Sequence, residues 1–323
     1  MSGQNVFVVG GSAGLGKEMS KVLAAQGANV TIFSRDQTRL KEAKQEILAT
    51  RKAETQAVVA VAADMSKAAT AQHVLSSQPQ LPDALFCVAG GTAYELGFLV
   101  DVEPEQLERC MNNNYYASLY PAQSILKAWI KDDKNSKETP SKPKLRKIIF
   151  VNSSASLVPT PGYIAYSAGK CAQRALADTL RTEVLRYNNP KSTYAVQCVF
   201  AHNFITPTFI EEQKHKPDLT KRLEGTTGDL AELEKSGKFP YAAKIAPEIV
   251  AAIDKGDFAI MDGRFEPQIC WAVSIGSSPK RGLGIWDSCL ALLACLVWPF
   301  VRWTNDREAE GDAYRQMGKE ERK

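Results

Sequence analysis

The chain has 323 residues, 44% hydrophobic and 24% charged, which is enough apolar content to bury a full core and excludes a disordered chain. Its 40 basic and 36 acidic residues leave a net charge of only +4, so there is no broad electrostatic case for nucleic acid. Seven scattered cysteines with no CxxC pair, and only His73, His202 and His215 beside them, argue against a metal site and suit a reducing compartment.

The N-terminus lacks the apolar run of a signal peptide, and NVFVV at residues 5–9 has strand composition. It breaks into GGSAGLG at residues 10–16, four glycines in seven positions. Such a turn lets backbone N–H groups approach a phosphate at a helix N-terminus; the plain alternative is a tight turn with no ligand. KEMSKVLAAQGA follows with helical spacing, Met19, Val22 and Leu23 on one face and Gly27 as the stop. NVTIFSR then reads as a second strand, completing a βαβ unit where a dinucleotide-binding domain would begin.

The alternation continues. Residues 57–64 (AVVAVAAD), 83–91 (DALFCVAGG), 145–155 (LRKIIFVNSSA) and 193–201 (TYAVQCVFA) read as the third to sixth strands. Long helical segments lie between them, at 103–130 and 164–186. Residues 131–144, KDDKNSKETPSKPK, read as a polar, mobile surface loop. Continuous apolar strands belong to a parallel sheet covered on both faces. The expected fold is α/β, a Rossmann-type doubly wound parallel sheet. No internal repeat is visible.

YIAYSAGK places Tyr166 and Lys170 four apart, one helical turn, on one face. An isolated tyrosine titrates near pH ~10 and is a poor acid–base group at neutral pH. A neighbouring ammonium would lower that pKa. An ordinary helix surface is the plain alternative. Ser153, in VNSSAS, precedes Tyr166 by thirteen residues and could reach the same substrate oxygen, with Ser154 as its neighbouring rival. Asn114 sits in MNNNYYASLY, on the long helix after the fourth strand.

In the order and spacing of GGSAGLG, NNNYY, Ser153 and the Tyr166–Lys170 pair, the chain resembles the short-chain dehydrogenase/reductases over residues 5–210. The resemblance implies that Tyr166 protonates a carbonyl oxygen during reduction and Ser153 hydrogen-bonds it. It also implies that Lys170 lowers the tyrosine pKa and binds the nicotinamide ribose, and that Asn114 holds a water relaying protons to Lys170. The turn, with Gly10, Ser12, Ala13, Gly14, Leu15 and Gly16, would cradle the cofactor pyrophosphate. One departure concerns FCVAGG, where Cys87 and Val88 replace the family's asparagines. Ala89 and Gly90 would still pack on the cofactor, but a customary support of the sheet is put in doubt.

The second strand ends in Ser34 and Arg35, with Asp36 one step too late to meet a ribose 2′-hydroxyl. A guanidinium suits a 2′-phosphate, and Arg39 one turn on could join it, so NADPH is expected over NADH. By resemblance Asp64 meets the adenine, and Ile205 and Thr206 in HNFITPTF lie near the carboxamide.

Within the family, FSRDQTRLKEAK, FCVAGG and GYIAYSAGKCA look most like the fungal 3-ketodihydrosphingosine reductases, which implies reduction of a long-chain amino ketone at the endoplasmic reticulum, the catalytic domain facing the cytosol. Residues 207–245 would form a substrate lid, or a mere surface excursion, within a reductase domain spanning 1–262. Residues 263–303 read as a hydrophobic membrane-associating region. SCLALLACLVWPFV within it is 14 residues without a charge, about 21 Å as a helix and short of a ~30 Å hydrocarbon core. Four of the five tryptophans, Trp271, Trp286, Trp298 and Trp303, cluster there, and PQICWAVSIG could dip in as well. Spanning, re-entrant, interfacial and buried-core readings all stay open. Residues 304–323 read as a polar, flexible tail. Candidate partners are a long-chain keto-lipid, a membrane lipid surface and a second copy of the chain. Two rival readings remain: a reductase of another lipid or steroid ketone, and a non-catalytic NADPH-binding membrane protein.

Overall fold

The computed structural model describes residues 2–274 and 280–320. The chain runs β1 (Asn5–Val9), α1 (Gly14–Ala25), β2 (Asn29–Ser34), α2 (Gln37–Ala49), β3 (Val58–Ala62), α3 (Ala68–Ser76) and β4 (Ala84–Cys87). It continues through α4 (Pro104–Met111), α5 (Ala117–Asn135), β5 (Lys144–Ser153), α6 (Ile164–Glu183) and β6 (Ser192–Ala201). Four short helices follow, α7 (Pro207–His215), α8 (Asp218–Glu224), α9 (Leu230–Lys235) and α10 (Ala242–Ile253), then β7 (Ala259–Ile260), α11 (Phe265–Val273) and α12 (Ile285–Glu320).

All strand pairings are parallel, in the order β3-β2-β1-β4-β5-β6-β7. Alternation within β1 builds two cores. Val6 and Val8 face α1, α2 and α10 through Met19, Leu23, Ile47 and Ile249. Phe7 and Val9 face α3, α5 and α6 through Leu75, Ile125, Trp129 and Ala177. Strand order reverses between β1 and β4, which opens a crevice at their C-terminal ends. The glycine turn after β1 and the VAGG segment after β4 both empty into it. The doubly wound parallel sheet is therefore as expected, with two-residue β7 as an edge strand too short for its composition to signal.

Three local readings change. The polar stretch after residue 130 is not all loop: α5 continues to Asn135, and Asp133 on its last turn is buried. Asp133 accepts hydrogen bonds from Ser192 Oγ (2.8 Å), Asn189 Nδ2 (2.9 Å) and Tyr194 OH (2.5 Å), and lies 3.3 Å from Arg146 Nη2. The segment 267–274 does not dip outward. Trp271 is fully buried, its ring 4.9 Å from Phe200 and its indole N–H donating to Asp287 (3.2 Å). Residues 275 and 276 of the same motif lie outside the described residues. Finally, the chain beyond Thr304 is helical. Helix α12 runs on to Glu320 although Gly311 and Gly318 lie within it, and 321–323 are outside the described residues.

Helix α12 packs on α11 and α8. Leu290 and Ala294 face inward, whereas Trp286, Leu292, Leu293, Leu296, Val297, Phe300 and Trp303 are exposed. No helix among the described residues is long and apolar enough to cross a membrane, and Pro299 sits inside α12, so the spanning alternative has no support.

Candidate active site

The glycine turn is built by close approach. At Gly10, in the left-handed region (φ 89°), a Cβ would lie 2.5 Å from the backbone nitrogen of Ala89 on the neighbouring loop. At Gly16 it would lie 2.2 Å from the Gly10 carbonyl oxygen, so only glycine lets α1 start this near β1. Ala13 precedes α1 in extended conformation with no side-chain cap, and the first turn carries no acidic residue. Leu15 is buried against the sheet, leaving the backbone N–H groups of the helix start uncapped beside the crevice. Thr206 faces this turn, its methyl 3.4 Å from where a Gly14 Cβ would be. The cradle fits the pyrophosphate of a dinucleotide.

Ser12 Oγ donates to Ser34 Oγ (2.8 Å), and Arg35 beyond it is exposed. Asp36 cannot serve a ribose, because its carboxylate caps α2 by accepting from the N–H groups of Thr38 and Arg39. Arg39 pairs with Asp36 (3.4 Å) on the same exposed turn. Asp64 lies across from Arg35 after β3. Burial pushes its carboxyl up, but Ser66, bonding through both N–H and hydroxyl, together with the Arg35 charge, holds it below its ordinary value.

Ile205 is tied down by both its side chain and its backbone. Its side chain is buried with Phe209, Leu233 and Phe239, its N–H donates to Pro240 O (2.8 Å) and its carbonyl accepts from Ala242 N (3.2 Å). It pins the two ends of the 206–241 excursion together, and Thr206 fronts the turn. The missing asparagines after β4 are also accounted for. Cys87 is fully buried in the core, and the N–H groups of Val88 and Ala89 both donate to Val9 O (2.9 and 2.8 Å), so backbone bonds tie the strand ends.

The four candidate catalytic residues converge from three elements. Ser153 ends β5, Tyr166 and Lys170 lie on the first two turns of α6, and Asn114 lies in a π-helical turn, Asn112–Tyr116, joining α4 to α5. The two candidate serines have different partners. Ser153 Oγ accepts from Ala155 N (3.2 Å) and lies close enough to the Tyr166 phenol to favour its ionised form, while Ser154 Oγ is engaged with His202 Nδ1 (3.0 Å). The Lys170 ammonium donates to Val151 O (2.9 Å) and lies 5.8 Å from the Tyr166 ring centroid. Burial pushes its pKa down to about 8.

The Tyr166 pKa is raised: burial pushes it up, the Ser153 hydroxyl opposes this, and the charges of Glu212 and Glu224 add to the rise. The Lys170 ammonium stands 5.8 Å from the ring centroid, and with its pKa raised the phenol rests protonated, as an acid must. Asn114 is wholly buried and works as a clamp. Its amide donates to Gly91 O and Cys110 O (both 3.0 Å), and its oxygen accepts from Gly91 N (2.8 Å). This holds Gly90, where a Cβ would collide with both Asn114 Oδ1 and Lys170 Nζ, against the site.

One group near the site was invisible in sequence. Lys216, just past α7, is buried and lies 2.9 Å from Glu212 and 2.7 Å from Glu224. Tyr163, three residues before Tyr166, donates its hydroxyl to Glu212 and stands 3.1 Å from Glu224. Nothing in KHKPDLTKRLE separates buried Lys216 from exposed Lys214.

The short chain dehydrogenase family model matches residues 4–216. The chain is 30% identical over 314 residues to the 3-ketodihydrosphingosine reductase ksrA of Aspergillus fumigatus, covering 92% of this chain and 81% of that one. Among solved structures it resembles a short-chain dehydrogenase/reductase from Burkholderia phymatum in complex with NAD (TM-score 0.64, 18% identity, 80% of this chain and 89% of that one). It resembles equally a short-chain dehydrogenase from Sphingobium yanoikuyae in complex with NADPH (TM-score 0.62, 17% identity, 80% and 87%). With a nicotinamide-cofactor fold and this constellation of residues, the chain belongs to the short-chain dehydrogenase family and is an oxidoreductase acting on a ketone.

Proposed function

We propose that the protein uses NADPH to reduce the 3-keto group of a 3-ketodihydrosphingosine-type long-chain amino ketone, giving the amino alcohol of sphingolipid synthesis. The observation that carries this reading is the joint presence of the Ser153–Tyr166–Lys170 site and a relative of that name aligned over nearly the whole chain. The substrate carbonyl oxygen sits at the Ser153 and Tyr166 hydroxyls. The bound nicotinamide supplies the hydride. Tyr166 gives its proton to the oxygen as negative charge develops there, and Ser153 donates a hydrogen bond to the same atom. The Lys170 ammonium, fixed by the Val151 carbonyl, stabilises the phenolate left behind. Preference for NADPH rests on Arg35, exposed beside Ser12 and Ser34, with Asp36 spent as a cap.

The working place proposed is the cytosolic face of the endoplasmic reticulum membrane. The apolar residues that α12 leaves exposed, with Trp286 and Trp303 among them, suit an interfacial helix. A substrate panel followed at the NADPH absorbance tests the reading. Turnover of the long-chain amino ketone is expected, with a kcat/KM for NADPH at least tenfold that for NADH that Arg35→Ala removes. Turnover of a steroid ketone in its place, or equal use of the two cofactors by the intact protein, overturns the corresponding part.

A further inference from the structure

The reaction described so far uses Ser153, Tyr166 and Lys170 and leaves unexplained the charged group packed beside them. Tyr163 and Tyr166 are one turn apart at the start of α6, their ring centroids 5.9 Å apart. Behind Tyr163, Glu212 comes from α7, Glu224 from the end of α8 and Lys216 from between them. Asn203, after β6, donates to Glu224 Oε1 (3.1 Å). The lid segment thus brings two carboxylates to within one aromatic ring of the acid that meets the keto oxygen.

The charge count is unbalanced. Among the described residues one ammonium, that of Lys216, lies within ion-pair distance of these two carboxylates, whose side chains are only 12% and 15% exposed. Holding a lid closed needs one carboxylate and one lysine. A second buried carboxylate adds repulsion and desolvation that such a latch does not require. The surplus negative charge is what an incoming cation would neutralise. Burial also pushes the Glu212 carboxyl above its ordinary range, so a proton can hold that place until a cation takes it.

An amino ketone of the type proposed above carries its ammonium on the carbon bonded to the carbonyl carbon. With the keto oxygen at Tyr166 and Ser153, the ammonium must lie within a side chain's reach of Tyr166. We propose that Glu212 and Glu224 form the subsite that receives this ammonium, with Tyr163 as the strut setting its distance from Tyr166, and that they make the enzyme selective for amino ketones. The proposal rests on the amino-ketone reading of the function and adds the residues that enforce it.

The test uses two long-chain 3-ketones of equal length, one with the 2-ammonium and one with hydrogen in its place. The intact protein with NADPH should favour the amino ketone. Glu212→Gln and Glu224→Gln should each lower kcat/KM for it by about tenfold or more, mainly through KM, and lower that for the desamino ketone by a much smaller factor. Equal losses on the two substrates would make the group a lid latch and overturn the proposal, as would loss on neither. Binding separates this outcome from failure of the functional reading. With the full-length Tyr166→Phe protein loaded with NADPH, calorimetry should show tighter binding of the amino ketone, and Glu212→Gln in that background should erase the difference. Equal affinities in the Tyr166→Phe protein overturn the proposal whether or not the intact protein turns over either ketone, and this arm decides the matter if a glutamine variant fails to fold.

Discussion

At the scale of single residues, Tyr166 and Lys170 hold protonation states set mainly by burial. The phenol is pushed up and the ammonium down to about 8. Tyr166→Phe should lower kcat by about 10²–10⁴, the range for loss of a general acid, with NADPH affinity unchanged. Fluorescence titration of the cofactor beside the turnover assay checks this, and substantial turnover would refute the acid role. The pH dependence of kcat/KM for ketone reduction should show no acid limb from Tyr166 and a decline above pH of about 8 as Lys170 loses its charge. Stability should move the other way. The unfolded lysine keeps its proton to its ordinary value of 10.5, so between about 8 and 10.5 the unfolded chain binds more protons and stability rises with pH. Lys170→Met should remove that rise in urea denaturation series.

At the scale of elements, contacts between segments hold the site in register. Glycine at position 16 lets α1 begin under the Gly10 carbonyl. Gly16→Ala should cost about 1–3 kcal/mol of overpacking and weaken cofactor binding by more than it lowers the melting temperature would suggest, because the shifted turn is the phosphate cradle. Calorimetric unfolding with and without NADPH separates the two effects. The start of α12 is held by Asp287, buried at the junction with α11. It accepts from Arg281 N (2.7 Å), the Arg281 guanidinium (2.9 Å at Nε) and the Trp271 indole. Asp287→Ala leaves those donors unsatisfied and should cost about 3–5 kcal/mol, the range for breaking a buried ion pair. Limited proteolysis should then cut first between α11 and α12.

Across the whole molecule, two apolar cores sandwich the sheet, while the exposed residues of α12 lie outside both. Deleting residues 285–323 should therefore leave the cofactor site intact and, on the interfacial reading proposed for α12, release the protein from membranes. Activity on a long-chain ketone in vesicles should fall more than activity on a short, soluble one. Each buried CH₂ favours the apolar phase by ~0.8 kcal/mol, so a long-chain substrate stays in the bilayer and a detached enzyme waits for rare free monomers. Sedimentation of the truncated protein with membranes after a high-salt wash would place the anchor elsewhere.

The sequence by itself determined the parallel sheet, the glycine turn and the Tyr166–Lys170 pair. Each is written in a short window, by strand composition, by the absence of side chains, or by a four-residue helical spacing. Tertiary structure alone engaged Ser154 with His202, turned Trp271 inward, made Asp133 a buried acceptor and gathered Lys216 with two glutamates. Tyr163 meets Glu212 and Glu224 across 49 and 61 residues of chain. Whether a charged or aromatic side chain is buried depends on what packs over it, and no local pattern records a partner that distant.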